Sequence, residues 1–320
     1  MYRFLRKLVY RKRLFKDLPD GITVELTSRC NSLCSYCPKS KGVGIDRKDM
    51  DFELFKKIID EATRVINLKQ VCLVGFGEPL LYPKLFEAIR YIKEKNPRIK
   101  VPITTNAILL IEENGKNIVE SGVDSLTISI NSFGREKYRL LNNVDFYEKV
   151  EANVRNFLTS LKSRPVDGLP RLYIQILDGV NTEEEIQGFI DYWTPLLPPN
   201  AEIQVQPFVN WAGEIENPRA SASEERYPCG HLYSWIITAE GEAVACCMVL
   251  PGADKTLFLG SVKEKSLIEI YTGEKIKNLR RLNLEGKLEQ VPICAKCDAW
   301  KTSVNVWFKN KYIQGIRKWI

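Results

Sequence analysis

The stretch Thr27-Ser-Arg-Cys30-Asn-Ser-Leu-Cys34-Ser-Tyr-Cys37-Pro38 places three cysteines at C-x3-C-x2-C spacing, directly after a short β-forming run. Three thiolates in one loop can hold three irons of a four-iron cluster and leave the fourth iron open. An open metal position can bind a substrate or cofactor, as it does in zinc hydrolases. A zinc knuckle without its fourth ligand, or a chance spacing, are the alternatives that the loop alone leaves open.

Around this loop, β-forming runs alternate with amphipathic helical runs. The predicted strands are Ile22–Thr27, Gln70–Gly75, Ile99–Thr105, Ser125–Ile130, Leu172–Leu177 and Glu202–Gln206. The predicted helices are Asp51–Arg64, Pro83–Lys95, Ile111–Ser121, Asp145–Lys162 and Thr182–Tyr192. Asp51 and Thr182 are predicted N-caps, and Glu185 completes a capping box with Thr182. Six βα repeats predict a parallel sheet with functional loops at the carboxyl ends of its strands, in either an open sheet or a partial barrel.

A cysteine triad after the first strand of a βα series resembles the radical S-adenosylmethionine (SAM) superfamily. The resemblance covers about residues 20–210 and implies an α/β fold, the partial (β/α)6 TIM-type barrel of that family. It implies that Cys30, Cys34 and Cys37 bind a [4Fe-4S] cluster whose open iron is chelated by SAM. Tyr36 holds the position that lies against the SAM adenine in the family.

Further segments that resemble SAM-binding motifs follow at the predicted strand ends. Gly75-Phe-Gly-Glu-Pro79 looks like the family's Gly-Gly-Glu-Pro segment, although Phe76 interrupts the glycine pair. Gly77 lets the backbone approach a ligand, and Glu78 can accept a hydrogen bond from an ammonium group. Thr104-Thr-Asn106 resembles the Thr-Asn-Gly segment. The residues that the resemblance assigns to SAM are Tyr36, Gly75, Gly77, Glu78, Thr105, Asn106, Ser129 and Asn131, and Gln175 faces the same region.

The remaining cysteines gather mainly near the C-terminus: Cys229, the pair Cys246 and Cys247, and the C-x2-C motif of Cys294 and Cys297. Four thiolates can close either a zinc site or a fully ligated four-iron cluster, and spacing alone leaves both open. Nine cysteines in two groups beside one histidine argue for metal or redox chemistry rather than a disulfide framework.

The second group of cysteines follows a barrel of this kind in the sequence. It is similar to the auxiliary-cluster module called Twitch, the shortened SPASM domain. A β-hairpin of Leu232–Thr238 and Glu242–Cys247 is predicted around Gly241, with helices near Leu267–Tyr271 and Glu274–Leu284. The resemblance implies one auxiliary [4Fe-4S] cluster on Cys229, Cys246, Cys294 and Cys297. The resemblance favours Cys246 over Cys247. Because neighbouring strand residues point to opposite faces, only one of the two is expected to reach the cluster. Cys72 is predicted to be a core residue. His231 could donate a hydrogen bond to a cluster sulfur or transfer a proton, or it could be an ordinary surface or capping residue.

These features divide the chain into four parts: a basic extension (1–20), the barrel (21–210), a small α+β auxiliary-cluster domain (211–303) and a basic aromatic C-terminal helix (304–320). Charges interrupt the apolar run of the first sixteen residues too often for a signal peptide or membrane span, so a cytoplasmic location is expected. The net charge of +7 leaves open a contact of the basic termini with an anionic membrane at the inner surface. No nucleic-acid-binding motif accompanies that charge.

The resemblance implies that the reduced cluster cleaves SAM to a 5′-deoxyadenosyl radical, which abstracts hydrogen from a substrate C–H bond. A flavodoxin- or ferredoxin-type protein is the expected electron donor. Oxidation of an alcohol, with an electron passed to the auxiliary cluster, is the leading hypothesis for the substrate radical. Peptide or protein modification, by thioether formation or epimerisation, is the first alternative. Chemistry on a membrane lipid or lipid-linked sugar is the second, and no catalytic base is evident from the sequence.

Overall fold

The computed structural model describes residues 19–42, 48–218, 226, 228–233, 236–249 and 255–301. The predicted C-terminal helix and nearly all of the basic N-terminal extension lie outside these residues. Within the described ranges, no helix combines the length and the apolar character that a membrane crossing requires.

Six parallel strands form the first part of the fold, and each coincides with a predicted strand. They are β1 (Gly21–Val24), β2 (Gln70–Cys72), β3 (Pro102–Thr105), β4 (Ser125–Ser129), β5 (Arg171–Leu177) and β6 (Ala201–Gln206). β1 pairs with β2, and β3 to β6 form a sheet in chain order, all in parallel. A parallel bridge from Leu73 to Ile103 connects the two sets. The parallel sheet predicted from the βα rhythm and the partial barrel that the resemblance implies are therefore confirmed.

Helices follow the strands at the predicted places. They are α1 (Phe52–Val65), α2 (Leu85–Lys95), α3 (Glu112–Glu120), α4 (Arg135–Asn142), α5 (Tyr147–Lys162) and α6 (Glu183–Trp193). The Asp51 carboxylate accepts from Leu54 N at 2.9 Å, and Thr182 and Glu185 form the capping box, so both predicted N-caps are confirmed. α4 was not predicted, because its eight residues are mostly polar and give little apolar periodicity.

The C-terminal part begins with a hairpin that continues the barrel sheet. Strands β7 (Ile236–Ile237) and β8 (Glu242–Val244) are antiparallel, and β9 (Phe258–Ser261) pairs with β8. β7 also pairs in parallel with β1, which gives the strand order β2-β1-β7-β8-β9. The hairpin strands are shorter than predicted, since residues 230–233 form a 3₁₀ helix and both adjacent cysteines lie beyond β8. Gly241, in the turn, has φ 84°.

Three helices complete this part: α7 (Leu267–Tyr271), α8 (Glu274–Leu284) and α9 (Pro292–Ala295). The first two agree with the sequence prediction. The buried apolar side chains fall into two clusters, one within the barrel and hairpin and one around Cys229, Cys246 and Cys294. The auxiliary cysteines therefore have a small core of their own, while the hairpin packs on the barrel.

Candidate active site

One cavity of about 370 Å³ lies at the carboxyl ends of the barrel strands. It is lined by every residue that the sequence assigned to the first cluster and to SAM: Cys30, Cys34, Cys37, Tyr36, Gly75, Gly77, Glu78, Thr105, Asn106, Ser129 and Asn131. These residues come from loops spread over about one hundred positions, and the barrel brings them together because its parallel strands end at one rim. We propose these residues as ligands of the first cluster and of SAM because they line this one cavity.

The cysteine loop is held by the end of α4, which the sequence did not reveal. Ser35 N donates to Leu141 O at 2.7 Å, and Leu33 N donates to Asn142 O at 3.3 Å. The buried Asn142 amide oxygen accepts from Tyr36 OH at 2.8 Å and from the Cys34 thiol at 3.2 Å. Asn142 thus orients a proposed ligand and a proposed adenine contact at once. Nothing in its sequence neighbourhood indicates this role.

The three thiols lie in a setting that disfavours free thiolates. Burial raises the pKa of Cys30 to about 11 and that of Cys37 to about 12, and it also raises the pKa of Cys34. Buried thiolates need a cationic partner, and iron bound to the sulfurs supplies that positive charge. The donor set and its burial therefore fit a thiolate-bound cluster with one open iron.

Glu78 is the acidic side chain among the residues lining the cavity. Its carboxylate accepts from Thr105 Oγ1 at 2.7 Å, from Asn106 N at 2.8 Å and from Leu80 N at 3.2 Å. Burial outweighs these hydrogen bonds and raises the pKa of Glu78 to about 7. A cationic ligand beside it would favour the ionised form, so the site is suited to the ammonium group of SAM.

The raised pKa of Glu78 predicts a pH-dependent loss of stability in the apoprotein. Its contribution is fully present below the ordinary pKa of 4.5 and is lost as the pH rises through about 7. By pH 8 the loss is expected to reach about 3 kcal/mol. Denaturant unfolding at pH 5 and pH 8 measures it, and Glu78→Gln should remove the share that Glu78 contributes. Glu25 keeps its own share, because burial raises the pKa of that carboxyl as well. An equal pH dependence in both proteins would contradict the prediction.

Gly77 is required because the chain passes close to the cysteine loop. A Cβ at this position would lie 2.0 Å from Thr27 O and 2.7 Å from Arg29 O. Both obstacles are backbone atoms, which a side-chain rotation cannot move away. We expect Gly77→Ala to reduce the free energy of unfolding by about 3 kcal/mol. Gly21→Ala is the matched control, since its Cβ would meet its nearest atom at 3.3 Å. Equal effects in denaturant unfolding would refute this account.

The polar wall opposite Glu78 is a chain of amides and hydroxyls. Asn131 Nδ2 donates to Tyr36 OH at 3.0 Å, and Gln175 Nε2 donates to Asn131 Oδ1 at 3.0 Å. Gln175 Nε2 also lies 3.4 Å from Ser129 Oγ. The predicted side chains of β4 and β5 thus form one network. Sequence reasoning missed the cavity residues Gln206, Phe208, Trp211 and Met248. Gln206 ends β6, and Phe208 and Trp211 follow it, so their position at the end of the sixth strand was the available signal, since loops there face the rim. Met248 lies beyond β8, and no such signal marked it.

A second, small cavity is lined by Cys229, Cys246, Cys294 and Cys297. Cys247 is not among the lining residues, and its sulfur lies 3.9 Å from His231 Nδ1. The predicted preference for Cys246 therefore agrees with the geometry. Burial raises the pKa of Cys229 to about 12 and also raises the pKa of Cys297, so these two thiols need a metal to become thiolates.

The remaining cysteine, Cys72, lines neither of these two cavities. Cys72 is only half-buried and its sulfur accepts from Gln70 Nε2 at 2.8 Å, so the prediction of a core residue was wrong. It lies on the short β2, where alternate side chains leave the core. In the described part of the chain, no group of three or more Cys, His, Asp or Glu side chains converges on a single point as the ligands of one metal ion do. In a four-iron cluster each cysteine binds a different iron, so both cysteine groups stay compatible with such a cluster.

The sequence also matches two known families. Residues 24–174 match the Radical SAM superfamily, and residues 229–298 match SPASM, an iron–sulfur cluster-binding domain. The chain therefore carries a radical SAM domain followed by a C-terminal SPASM domain. These domains imply a [4Fe-4S] cluster, SAM and an auxiliary iron–sulfur cluster.

Individual relatives span most of the chain. The tungsten-containing aldehyde ferredoxin oxidoreductase cofactor-modifying protein of Pyrococcus furiosus is 26% identical and aligns over 86% of each chain. The SAM-dependent 2-deoxy-scyllo-inosamine dehydrogenase of Niallia circulans is 21% identical over 87% of this chain and 92% of its own. Streptococcus suis SuiB, bound to precursor peptide SuiA, superposes with a TM-score of 0.65 at 16% identity, over 85% of this chain and 69% of SuiB. At that identity the likeness shows the fold.

Proposed function

We propose that this protein is a radical SAM oxidoreductase that oxidises an alcohol and passes one electron to its auxiliary cluster. The observation that carries the proposal is the extent of the cavity at the carboxyl ends of the barrel strands, called the SAM cavity from here on. The same cavity is lined by the N-terminal cysteine triad and by His231 and Met248. His231 lies two residues after Cys229, and Met248 lies two residues after Cys246; both cysteines are proposed auxiliary ligands. A substrate in this cavity would therefore lie between the two cysteine groups.

When bound, the first cluster and SAM supply a radical that removes a hydrogen atom from carbon, and the auxiliary cluster supplies an acceptor for one electron. The residues of the chain orient the reactants. Glu78 offers its carboxylate to the SAM ammonium group, and Tyr36 is held by Asn142 and Asn131 as a contact for the adenine. Phe76 and Trp211, whose ring centroids are 5.5 Å apart, exclude water from the reacting carbon.

Oxidation of an alcohol to a carbonyl removes two hydrogens. One leaves the carbon as a hydrogen atom, and the second leaves the oxygen as a proton while one electron departs. His231 lines the cavity, and we assign it to the substrate hydroxyl as the group that takes this proton. The electron goes to the auxiliary cluster and then to an external acceptor.

The likeness to the inosamine dehydrogenase over most of both chains supports a neutral or amino-substituted cyclic alcohol as the substrate class. The test is anaerobic incubation with SAM, a reductant and a panel of cyclitols and aminocyclitols, with 5′-deoxyadenosine and ketone both quantified. We expect equimolar amounts for the true substrate when SAM is consumed. A rearranged product of unchanged oxidation state would overturn the proposal.

The second candidate is modification of a peptide or of a protein-bound group. The likeness to the cofactor-modifying protein, at 26% identity over 86% of both chains, favours it. The same assay discriminates the two functions when peptides replace the alcohols. SAM cleavage that only peptides stimulate, with a mass change on the peptide, would establish this candidate instead.

A further inference from the structure

A buried carboxylate, Glu25, lies directly after β1 and belongs to neither cysteine group. The residue is 2% exposed, and it is not among the residues that line the SAM cavity. Burying a carboxylate costs free energy unless hydrogen bonds to it compensate. The groups that donate to Glu25 therefore indicate what this side chain serves.

Two backbone N–H groups from distant segments donate to this carboxylate, one to each oxygen. Phe76 N donates to Oε1 at 2.8 Å, and Ala239 N donates to Oε2 at 3.3 Å. Phe76 belongs to the segment 75–79, which resembles a SAM-binding motif, and Ala239 lies in the turn between β7 and β8 of the SPASM domain. Glu25 thus joins a wall of the SAM cavity to the C-terminal part of the fold.

The Glu25 side chain also explains the glycine at position 75. A Cβ at this position would lie 2.5 Å from Glu25 Cγ and 2.7 Å from Glu25 Oε1. Gly75 is not among the glycines with a positive φ, so its backbone conformation does not itself demand a glycine. The first glycine of the motif therefore makes room for the carboxylate, and it lets Phe76 N come within reach of it.

The same segment is held a second time, two residues further on. Glu78 N donates to Arg29 O at 2.8 Å, beside the first cysteine of the loop. Between these two anchors, the Phe76 side chain lines the SAM cavity. The second anchor fixes the backbone of Glu78, whose carboxylate is proposed for the SAM ammonium group. A displacement of Glu25 would therefore move the residues that contact SAM.

We propose that Glu25 is a positioning residue that couples the SAM-binding segment to the turn of the β7–β8 hairpin. SAM that holds the segment in place also holds the carboxylate, and the carboxylate holds the turn. By linkage, an ordered turn strengthens SAM binding to the same extent. An ion pair of Lys48 with Glu240 also reaches the turn, but both side chains are exposed, so it contributes little. The inference needs SAM in this cavity and does not depend on which substrate is oxidised.

Hydrogen–deuterium exchange tests this coupling in the wild-type protein. The full-length, anaerobically reconstituted protein is compared with and without SAM, in the absence of a reductant so that SAM is not cleaved. We expect SAM to slow amide exchange in residues 236–244 of the hairpin. The matched reference is α7, where Glu61 of α1 accepts from Leu267 N at 2.6 Å, far along the chain from the SAM segment. An unprotected hairpin, or equal protection of hairpin and α7, would overturn the proposal.

Glu25→Gln tests the carboxylate itself, because an amide offers one acceptor oxygen to two N–H donors. We expect its affinity for SAM to fall about tenfold, since one buried N–H loses its partner. Equilibrium dialysis with labelled SAM on the oxidised protein measures this, at equal iron content. At saturating SAM, the hairpin of the variant should no longer be protected.

Glu61→Gln is the matched control, because it makes the same chemical change at the other carboxylate that joins the barrel to the C-terminal part. It should bind SAM and protect the hairpin as the wild type does. Wild-type SAM affinity in Glu25→Gln, or a hairpin that SAM still protects in this variant, would overturn the proposal. If Glu25→Gln does not load iron, the exchange experiment on the wild type decides. Failure to oxidise any alcohol would leave these results intact.

Discussion

The Cys34→Ala variant is expected to form no 5′-deoxyadenosine above background. Cys34 lines the SAM cavity between the other two cysteines of its loop, and a four-iron cluster with one open iron needs all three thiolates. Its sulfur lies within hydrogen-bond distance of Ser32 and Asn142, so the alanine variant also removes a link to α4. The measurement is chromatographic quantification of 5′-deoxyadenosine after anaerobic reconstitution with iron and sulfide.

Cys72→Ala is the matched control for this loss. Cys72 is a half-buried cysteine on β2 that lines neither of the two cysteine cavities described above. Its variant should cleave SAM as the wild type does. Iron analysis adds a second readout: about eight irons in the wild type and about four in the Cys30/Cys34/Cys37→Ala variant. A Cys34→Ala protein that still cleaves SAM would refute the assignment of this ligand.

The second large effect is a loss of auxiliary iron, which is expected from Cys246→Ala and not from Cys247→Ala. Cys246→Ala should lose the auxiliary cluster and retain about four irons, whereas Cys247→Ala should keep about eight. The reason is geometric: Cys246 lines the cavity that Cys229, Cys294 and Cys297 also line, and Cys247 lies beside His231 instead. Iron and sulfide analysis with EPR of the reduced proteins distinguishes the two variants.

The same pair of variants separates the two clusters by function. Cys246→Ala should still form 5′-deoxyadenosine, because the first cluster and the SAM contacts come from the barrel. It should yield no oxidised product if the auxiliary cluster takes the electron. Equal iron contents in Cys246→Ala and Cys247→Ala would contradict the ligand assignment. Full oxidation by a Cys246→Ala protein that lacks auxiliary iron would contradict the electron path.

Much of the fold and site could be predicted because the determining features are local. The spacing of Cys30, Cys34 and Cys37, the βα rhythm and the capping box at Thr182 depend on residues close together in the chain. Each of the short motifs at the strand ends is weak alone. Their order along a parallel sheet predicted that they share one rim, and the cavity unites them.

Contacts between distant segments could not be predicted in this way. Asn142 supports the cysteine loop from more than one hundred residues away, and it lies in a short polar helix without periodicity. The pairing of β7 with β1 joins segments about two hundred residues apart. Such pairings depend on backbone edges left free by the rest of the fold, which side-chain patterns do not encode.

By itself, the sequence indicated the class of chemistry, since the cysteine triad and the motifs at successive strand ends together resemble the radical SAM superfamily. It also determined the parallel α/β architecture, through the alternation of strands and helices. Only the tertiary structure showed that Cys246 lines one small cavity with Cys229, Cys294 and Cys297, and that another cavity extends from the cysteine triad to His231. Both depend on where a strand ends and which way its next residues turn, and packing against the rest of the fold sets that direction.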